Sequence, residues 1–355
     1  KHYTDAMGYI TYYTYDAADR LASIKDARSN TMAYEYNARG QVTKQINTDL
    51  SFKIYGYDDF GNKTISANEL YDSTIYTYDA FRRMLTQQAP MGRGTIYSYD
   101  LPGGGCGCLH DRNKPTRITR PTGKAVAYEY DVEWQKTKDI KGAGSSQEAV
   151  TQYQYDAAGN VTIMIDPNGN DWEYGYDARD RKIFAAAPLA DTTEWVYDAV
   201  GNVLQTIRPD GGITENSYDK MDRLKKTIDP KMQVTKFDYD AEGNAILLTD
   251  PGGNTTIFDY DPLSRKTKMI YPDGSFEGYS YDEAGNLKTY TNRKADIRTY
   301  TYDSRNREIH SEWNTNTSPV DRAYDVVSRV RSIINKASTI NYVYNAAGEL
   351  TGERQ

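Results

Sequence analysis

The residues best suited to metal chemistry lie in one short stretch. Cys106, Cys108 and His110 follow three consecutive glycines, and two thiols with an imidazole could bind Zn²⁺ or Cu⁺, with Asp111 as a fourth ligand. Structural zinc usually takes separated Cys-x₂₋₄-Cys pairs, which this stretch lacks. A strained disulfide between the two cysteines, or a glycine-rich loop without a ligand, explains the same residues. We expect no resident metal, and these three side chains are the only candidates to test.

Residues for catalysis are harder to find. The chain has three histidines, His2, His110 and His310, and none belongs to a nucleophile elbow or a zinc-protease motif. No glycine-rich phosphate loop joins a strand to a helix. Carboxylates are abundant, and Asp166 and Asp250 recur before prolines in turns instead of forming one unique pair. The sequence therefore predicts no catalytic residue, no cofactor and no enzymatic activity.

Tryptophans offer another kind of chemistry, because exposed aromatic faces bind sugars by stacking. The candidates are Trp134, Trp172, Trp195 and Trp313. Trp172 and Trp195 share the strand phase of the repeated tyrosines, which favours packing against cross-strand neighbours instead. Glycan binding therefore stays an alternative to a purely structural role.

Composition narrows the function further. The chain has 355 residues and a formal net charge of −7, so it lacks the basic footprint of a nucleic-acid-binding protein. No run of about 18 apolar residues could cross a membrane as a helix, and the first residues contain no apolar segment of a signal peptide. The sequence does not begin with Met, which predicts a piece of a longer chain.

Tyrosine dominates the aromatic residues. The chain has 33 Tyr against 7 Phe and 4 Trp, and its apolar fraction is 38%, below the roughly 45–50% of an average globular domain. Tyrosine favours sites that are apolar on one side and hydrogen-bonded at the hydroxyl. We therefore expect ladders of rings in a thin layer instead of one thick core.

The tyrosines belong to an internal repeat. Tyr-Asp, or its variant Tyr-Asn, occurs sixteen times, and eleven of the fifteen steps between copies are 21 residues long. The repeat tyrosines are Tyr15, Tyr36, Tyr57, Tyr78, Tyr99, Tyr130, Tyr155, Tyr176, Tyr197, Tyr218, Tyr239, Tyr260, Tyr281, Tyr302, Tyr324 and Tyr344. We expect residues 1–355 to form a single array of about sixteen repeats, cut within a repeat at both ends. Insertions make 100–150 an irregular region.

Each copy predicts a β-hairpin. Aromatic residues alternate up to the tyrosine, and then Asp, with Gly, Asn or Asp three positions later, fits a type I turn followed by a left-handed residue. These pairs are Asp156 with Gly159, Asp177 with Asp180, Asp198 with Gly201, Asp219 with Asp222, Asp240 with Gly243, Asp261 with the less suitable Ser264, Asp282 with Gly285 and Asp303 with Asn306. A second turn, such as that at 166–169, follows half a repeat later. Two turns per repeat leave two strands of about six or seven residues.

The turns also alternate over 42 residues. From Tyr155 to Tyr302 the residue four positions after the turn Asp is Asn in one copy and Arg in the next. Neighbouring hairpins therefore occupy two environments. Each Arg either reaches a carboxylate across strands or stays solvated at the rim of the sheet, which is the more ordinary arrangement.

The repeats predict an extended sheet. About 32 strands spaced ~4.8 Å apart form a strip about 150 Å long. A twisted sheet of this length coils or closes, and one closed ring would be hollow and roughly 50 Å wide. The expected fold is all-β, with tandem 21-residue hairpins in a long coiled sheet that is part of a hollow β-shell.

The motif Tyr-x-Tyr-Asp-x-x-Gly-Asn, with the Asp-Arg-Leu variant at 19–21 and 222–224, resembles the YD repeats of the Rhs (rearrangement hotspot) family. This family includes bacterial polymorphic toxins, shell components of insecticidal ABC toxins and the animal teneurins. The resemblance covers essentially the whole chain and implies a strip that spirals into a hollow cocoon. In bacterial members the cocoon encloses a C-terminal toxin domain, whereas teneurin shells serve cell-surface adhesion. The family's self-cleaving aspartyl centre and a toxin domain have no match here, so neither activity is carried over to any residue.

Together these observations predict a noncatalytic shell or scaffold segment of a secreted or cell-surface Rhs-type protein. The expected partners are an enclosed cargo or toxin polypeptide and further repeats of the same protein. We expect no nucleic acid and no membrane span in this segment. The alternative is an extracellular adhesin or fibre module that binds glycans or cell-surface proteins.

Overall fold

The computed structural model describes residues 1–99, 113–189, 191–315 and 319–355. In these ranges 33 β-strands form one sheet, and the single helical element is a short 3₁₀ turn at Pro90–Gly92. Every strand pairs antiparallel with its neighbours in the chain, so the sheet is one continuous meander. The predicted all-β fold of tandem hairpins is confirmed.

The strands of the first half are β1 (His2–Thr4), β2 (Ile10–Tyr15), β3 (Leu21–Lys25), β4 (Thr31–Tyr36), β5 (Val42–Ile46), β6 (Phe52–Tyr57), β7 (Lys63–Ala67), β8 (Ser73–Tyr78), β9 (Met84–Ala89), β10 (Arg93–Ser98), β11 (Arg117–Thr119), β12 (Ala125–Tyr130), β13 (Lys136–Lys141), β14 (Ala149–Tyr155), β15 (Val161–Ile165), β16 (Asp171–Tyr176) and β17 (Lys182–Ala187). Those of the second half are β18 (Asp191–Tyr197), β19 (Val203–Ile207), β20 (Ile213–Tyr218), β21 (Leu224–Ile228), β22 (Val234–Tyr239), β23 (Ala245–Thr249), β24 (Thr255–Tyr260), β25 (Lys266–Ile270), β26 (Phe276–Tyr281), β27 (Leu287–Thr291), β28 (Ile297–Tyr302), β29 (Glu308–Trp313), β30 (Val320–Tyr324), β31 (Val330–Asn335), β32 (Thr339–Tyr344) and β33 (Leu350–Arg354).

Two kinds of turn lie on opposite edges of the sheet. The turns that follow even-numbered strands begin beside a repeat tyrosine, and we call the edge they form the YD rim. The turns that follow odd-numbered strands form the other edge, called here the opposite rim. On the YD rim the residues expected to be left-handed are so, with φ of 92° at Gly159 and 58° at Asp180. Even Ser264, whose residue type is less suited, has φ 58°.

The opposite rim places bulky residues in the same backbone conformation. Leu50 has φ 68° and Met232 has φ 61°. Residue type did not predict these positions, because Leu and Met rarely adopt positive φ. The periodic turn between paired strands imposes the conformation and outweighs the local preference.

At the YD rim fifteen strand pairings, all those described except β10 with β11, contain a β-bulge next to the repeat tyrosine. In the hairpin of β14 and β15, Gln154 pairs with Ile163 while Tyr155 pairs with Val161, so Thr162 is the extra residue. A bulge bends the strand and increases its twist. Its repetition along the chain adds curvature in one direction.

The sheet is a single layer. The chain exposes 21633 Å², whereas a compact monomer of its mass, 40.3 kDa, exposes about 14,500 Å². Within the described ranges only five residues are buried, and they are Asn47, Ala67, Ala125, Ala143 and Ser311. Most side chains, including the repeat tyrosines after Tyr15, are half-buried against their neighbours in the sheet. The expected thin layer of rings therefore replaces a central core.

The region between 113 and 155 continues the meander through β11 to β14. Its longest turn, at 142–148, folds back on the sheet. Ala143 donates its N–H to the carbonyl of Ala125 at 3.0 Å, and the Arg117 guanidinium donates to the carbonyl of Ala143 at 2.9 Å. This turn is therefore anchored to β12 and β11 through its backbone.

The strip coils until its two edges meet. Thr48 on the opposite rim donates its hydroxyl hydrogen bond to the carbonyl of Ser304 on the YD rim, at 2.7 Å and 256 residues further along. The same separation joins Asp49 to Arg305, and Arg93 to Glu349. We call this line of contacts the seam.

The seam fixes the size of the coil. The turn after β5 faces the turn after β28, so one turn of the coil takes 23 strands. At ~4.8 Å per strand the circumference is about 110 Å and the diameter about 35 Å. The expected diameter of roughly 50 Å, for a single ring of all strands, was therefore too large, because the ends of the strip overlap instead of joining end to end.

Candidate functional site: the linked repeat turns

The repeat tyrosines tie each hairpin to the one before it. Tyr176 donates its hydroxyl hydrogen bond to the carbonyl of Val161, at 3.0 Å, and Val161 is the residue that pairs with Tyr155 at the preceding bulge. All fifteen repeat tyrosines after Tyr15 make an equivalent bond, with distances of 2.7 to 3.1 Å. Burial raises the pKa of Tyr155 and Tyr176, which keeps each hydroxyl protonated as a donor.

The aspartate of each repeat holds its own turn together. Asp156 Oδ1 accepts hydrogen bonds from the N–H groups of Ala158, at 3.0 Å, and Asn160, at 2.9 Å, while Oδ2 accepts from the Asn160 amide at 3.1 Å. In the next copy Oδ2 of Asp177 accepts from Arg181 Nε at 2.7 Å. Asn and Arg therefore donate hydrogen bonds to the same carboxylate oxygen, Oδ2, in alternate copies.

These hydrogen bonds stabilise the charged form of the carboxylates. The backbone N–H and side-chain amide of Asn160 lower the pKa of Asp156 from its ordinary value of 3.8. The Arg181 side chain lowers the pKa of Asp177 in the same way, with support from the N–H groups of the turn. Asp156 and Asp177 are thus held in the ionised form, and each is satisfied by donors of its own turn.

The arginine of alternate turns also reaches the next hairpin. The Arg181 guanidinium lies over the Tyr197 ring at 4.6 Å, and its Nη1 donates to the carbonyl of Asp198 at 2.8 Å. The same stacking, at 4.5 to 4.9 Å, joins Arg20 to Tyr36, Arg83 to Tyr99, Arg223 to Tyr239, Arg265 to Tyr281, Arg307 to Tyr324 and Arg329 to Tyr344.

Both expectations for these arginines were wrong. The carboxylate partner of Arg181 is Asp177 of its own turn, not a residue across strands, and the side chain is only 26% exposed. The Tyr197 ring shields the guanidinium from water, which a solvated rim cation would not need. Such a contact contributes about 0.5–1 kcal/mol or more as it is desolvated.

The asparagines complete the link in the other copies. Asn160 donates a second hydrogen bond to Asp180 Oδ1 of the following turn, at 2.9 Å. Equivalent bonds join Asn202 to Asp222, Asn244 to Ser264 and Asn286 to Asn306. The acceptor is always the left-handed residue of an Arg-type turn, whereas Asn-type turns have Gly there. The 42-residue period therefore arises because donor turns and acceptor turns alternate.

One part of the sheet departs from the repeat. Four positions before the repeat tyrosine, eight of sixteen copies have Thr and five have an apolar or aromatic residue, whereas Lys53, Glu277 and Arg298 are charged, and the last two lie in neighbouring copies. Glu277 accepts hydrogen bonds from Tyr279, at 2.7 Å, and from Tyr290, at 3.0 Å, and Arg298 lies over the Trp313 ring at 5.8 Å. Burial and the Glu277 carboxylate raise the pKa of the Tyr279 hydroxyl.

We call Glu277, Tyr279, Tyr290, Arg298 and Trp313 the aromatic cluster. Its rings are close to one another, with centroids 5.5 Å apart for Tyr279 and Tyr290 and 6.0 Å apart for Tyr290 and Trp313. Sequence reasoning missed Glu277 and Arg298. Two charged residues of opposite sign at this position in neighbouring copies were the signal that could have identified them.

The remaining sequence candidates are the residues considered for metal binding and the other histidines. Cys106, Cys108 and His110 fall outside the described residues. Across the described ranges, no three His, Cys, Asp or Glu side chains are grouped so as to hold a metal ion. His310 Nδ1 lies 2.6 Å from Asp321 Oδ1 on the neighbouring strand. No helix in this part of the chain has the length and apolar character that a membrane crossing requires.

The other tryptophans lie in the regular array. Trp172 is opposite Met164 in the neighbouring strand, and Trp195 is opposite Thr206. Trp134 occupies a left-handed turn position, with φ 62°, and its ring centroid is 5.8 Å from that of Tyr130. Of the four tryptophans, Trp313 therefore lies where the repeat is broken.

Comparison with solved structures identifies the same fold in toxin complexes. A crystal structure of TcdB2–TccC3–Cdc42 matches with a TM-score of 0.71 and 15% identity, over 97% of this chain and 23% of that one. TcdB2–TccC3 without its hypervariable C-terminal region gives 0.66 and 17%, over 98% and 21%. A Tc holotoxin pore from Photorhabdus luminescens that carries a TccC3 mutation gives 0.65 and 17%, over 98% and 20%. At such identities the likeness establishes the fold, and this chain spans less than a quarter of each neighbour's length.

Sequence comparisons agree with the repeat. A search of curated proteins found no match to this sequence. The family model for the RHS repeat matches residues 15–51, 142–171 and 239–275. Each of these segments contains a Tyr-Asp turn and an opposite-rim turn. The hairpins in these three segments are therefore RHS repeats, as the resemblance of their motif predicted.

Proposed function

We propose that this chain is a noncatalytic wall segment of a hollow shell that encloses a polypeptide cargo, in a secreted or cell-surface Rhs-type protein. The single-layer coil carries this proposal. A sheet that exposes 21633 Å² and closes on itself after 23 strands surrounds space instead of filling it.

The linked turns suit this role. Because every hairpin is tied to the next through tyrosine, arginine and asparagine contacts, the wall keeps its curvature without an internal core. The likeness to solved structures of a Tc holotoxin with TccC3 supports a place in a toxin complex. We infer that the cargo is a toxin polypeptide, that flanking segments of the same protein supply it, and that export precedes its release.

Cryo-electron microscopy of the full natural protein tests the proposal. The expected result is a closed hollow particle with polypeptide density inside, and this density should resist added protease until the shell is opened by denaturant. A shell assembled without the cargo segment is the control, and it should be empty. An open sheet, a filled particle or a polymer without a lumen would refute the proposal.

The aromatic cluster favours a second candidate, a glycan-binding surface of an adhesin. Three aromatic rings beside a carboxylate and a guanidinium resemble the donors and stacking faces that hold a pyranose. Binding of defined oligosaccharides, followed by tryptophan fluorescence, would be lost in Trp313→Ala and retained in Trp172→Ala, which alters a ring of the regular array. If both variants respond to sugars as the parent does, or if the parent binds none, the cluster is structural.

A further inference from the structure

One arginine at the seam is held by carboxylates from two different turns of the opposite rim. Arg305 Nη2 lies 2.9 Å from Glu69 Oε1, and Nη1 lies 3.3 Å from Asp49 Oδ2. The Arg305 side chain is 13% exposed and that of Glu69 only 2%. Removal of one partner from an ion pair this buried is strongly destabilising, because the other charge then stays buried without a counter-charge.

The carboxylate of Glu69 is also positioned from its own side of the seam. The buried Asn47 donates its amide hydrogen bond to Glu69 Oε1 at 2.9 Å, and Lys53 Nζ lies 3.9 Å from the same oxygen. Asp49 is held by Ser51, whose hydroxyl and N–H donate to its Oδ1. Both carboxylates are therefore positioned by contacts within the opposite rim, independently of Arg305.

A second arginine approaches from the other direction. Arg28 on the opposite rim lies 3.6 Å from Asp282 Oδ2 and donates to the carbonyl of Asp303 at 3.1 Å and to the Asn306 side chain. Each rim therefore contributes both an arginine and carboxylates to the contacts across the seam. This complementarity fits one alignment of the two rims.

The turn sequences differ where the seam lies. At the second position of the turn, six successive opposite-rim turns away from the seam have proline, at 167, 188, 209, 230, 251 and 272. Of the four opposite-rim turns with seam contacts, those after β3, β5 and β7 have Ala27, Thr48 and Glu69 at this position, whereas the turn after β9 has Pro90. Proline has no polar side chain and cannot make the contacts of Thr48 or Glu69. These two residues therefore supply seam contacts that the commoner proline could not.

We propose that Arg305, Glu69 and Asp49 form a lock that fixes the coil at 23 strands per turn. The backbone ladder and the rim contacts act between neighbouring hairpins and are the same in every register. The lock acts between residues about 240 to 260 positions apart and is satisfied in one register. It selects where the strip closes on itself.

Disulfide trapping across the seam tests this lock. The side-chain oxygens of Thr48 and Ser304 are 3.4 Å apart, so Thr48→Cys with Ser304→Cys places two thiols within bonding reach. Cys106 and Cys108 are replaced by Ser in this background. In a glutathione redox buffer the parent should form the cross-link nearly completely, and Arg305→Met should slow its formation at least tenfold.

Matched variants separate the lock from general damage. Arg179 occupies the same turn position as Arg305 but lies away from the seam, so Arg179→Met should cross-link at the parent rate. Arg305→Lys retains the charge and should recover part of the rate. Circular dichroism reports whether each variant keeps the sheet, and Glu69→Gln, which preserves shape, is measured if Arg305→Met does not fold. Equal rates for the Arg305 and Arg179 variants, or no effect of Glu69→Gln, would overturn the proposal.

Discussion

At the scale of single residues, polar contacts do the linking that a hydrophobic core does in a globular domain. The hydroxyls of the repeat tyrosines after Tyr15, the carboxylates of the turn aspartates and the guanidinium groups of the Arg-type turns have partners that recur with the period of the sequence. Because each contact joins only neighbouring hairpins, the effect of one substitution should stay local and be of similar size along the array.

Removal of one tyrosine hydroxyl should cost a single hydrogen bond. Tyr176→Phe leaves the carbonyl of Val161 without its donor, and we expect stability to fall by about 1 kcal/mol. Tyr174→Phe on the same strand removes a hydroxyl for which the structure gives no hydrogen bond, and it serves as control. Urea unfolding followed by circular dichroism measures both. An equal effect of the two substitutions would mean that the hydroxyl contact contributes nothing.

The strained opposite-rim turns should be improved by glycine. Met232 has φ 61° and a side chain that is 76% exposed, so it bears backbone strain with little packing in return. The left-handed conformation costs a residue other than glycine about 1–2 kcal/mol. Glycine avoids this cost but loses about 0.5–1 kcal/mol more conformational entropy on folding, so Met232→Gly should raise the free energy of unfolding by about 0.5–1 kcal/mol.

The neighbouring residue provides the control for this substitution. Lys231→Gly changes a turn position that is not left-handed, so it should lower the melting temperature, whereas Met232→Gly should raise it. A fall for both variants would show that the turn is not strained at Met232.

At the scale of elements, the turns of the YD rim repeat along the chain, and their aspartates make the stability of the array depend on pH. Its aspartate accepts from donors of its own turn, and these lower its pKa in copy after copy, for example at Asp156, Asp177, Asp219 and Asp240. The turn is therefore built for the ionised carboxylate. Links to the next turn depend on the same geometry, so the loss of charge at one turn also affects its neighbour.

Acid should destabilise the array as a whole. A carboxylate whose folded pKa lies below its ordinary value contributes stability that is complete above the ordinary value and is lost as the pH falls through the folded value. The melting temperature should therefore stay level from pH 7 to about 5 and drop below about 4. Thermal scans by circular dichroism at pH 7, 5 and 3 measure this. A level melting temperature down to pH 3 would contradict the assignment of these turns as charge-dependent.

At the scale of the whole molecule, local bonding alone leaves the closure of the strip undetermined. The ladder and the rim contacts set curvature, but a curved strip could close after many different numbers of strands. The seam converts the strip into a coil of one diameter, through a small number of side chains on seven turns. Long-range order in this chain therefore depends on few residues.

Hydrogen exchange should reveal this closure directly. The opposite-rim turns at 47–51 and 229–233 have the same position in the repeat, but only the first is covered by the YD rim. Peptides that contain 47–51 should exchange several-fold more slowly than those that contain 229–233. Equal exchange would mean that the seam is open in solution.

The strands and turns could be predicted from the sequence because their causes are local. A tyrosine, an aspartate and a residue of positive φ recur every 21 residues, and two turns of known type leave room for two strands. The partner of Arg181 could not be predicted, since the same spacing allowed a cross-strand carboxylate or water. Glu69 and Arg305 are 236 residues apart, and no periodic signal connects them. The aromatic cluster was visible only as an interruption of the pattern.

The count of strands in one turn of the coil is odd, and this constrains how such a gene can grow. With 23 strands, a turn on one rim meets a turn on the other, whereas an even number would set each turn against the gap between two turns. Duplication or loss of a whole hairpin changes the count by two and preserves its parity. Copy-number changes of the 21-residue unit could therefore widen or narrow the tube while its rims stay in step, and a single added strand could not.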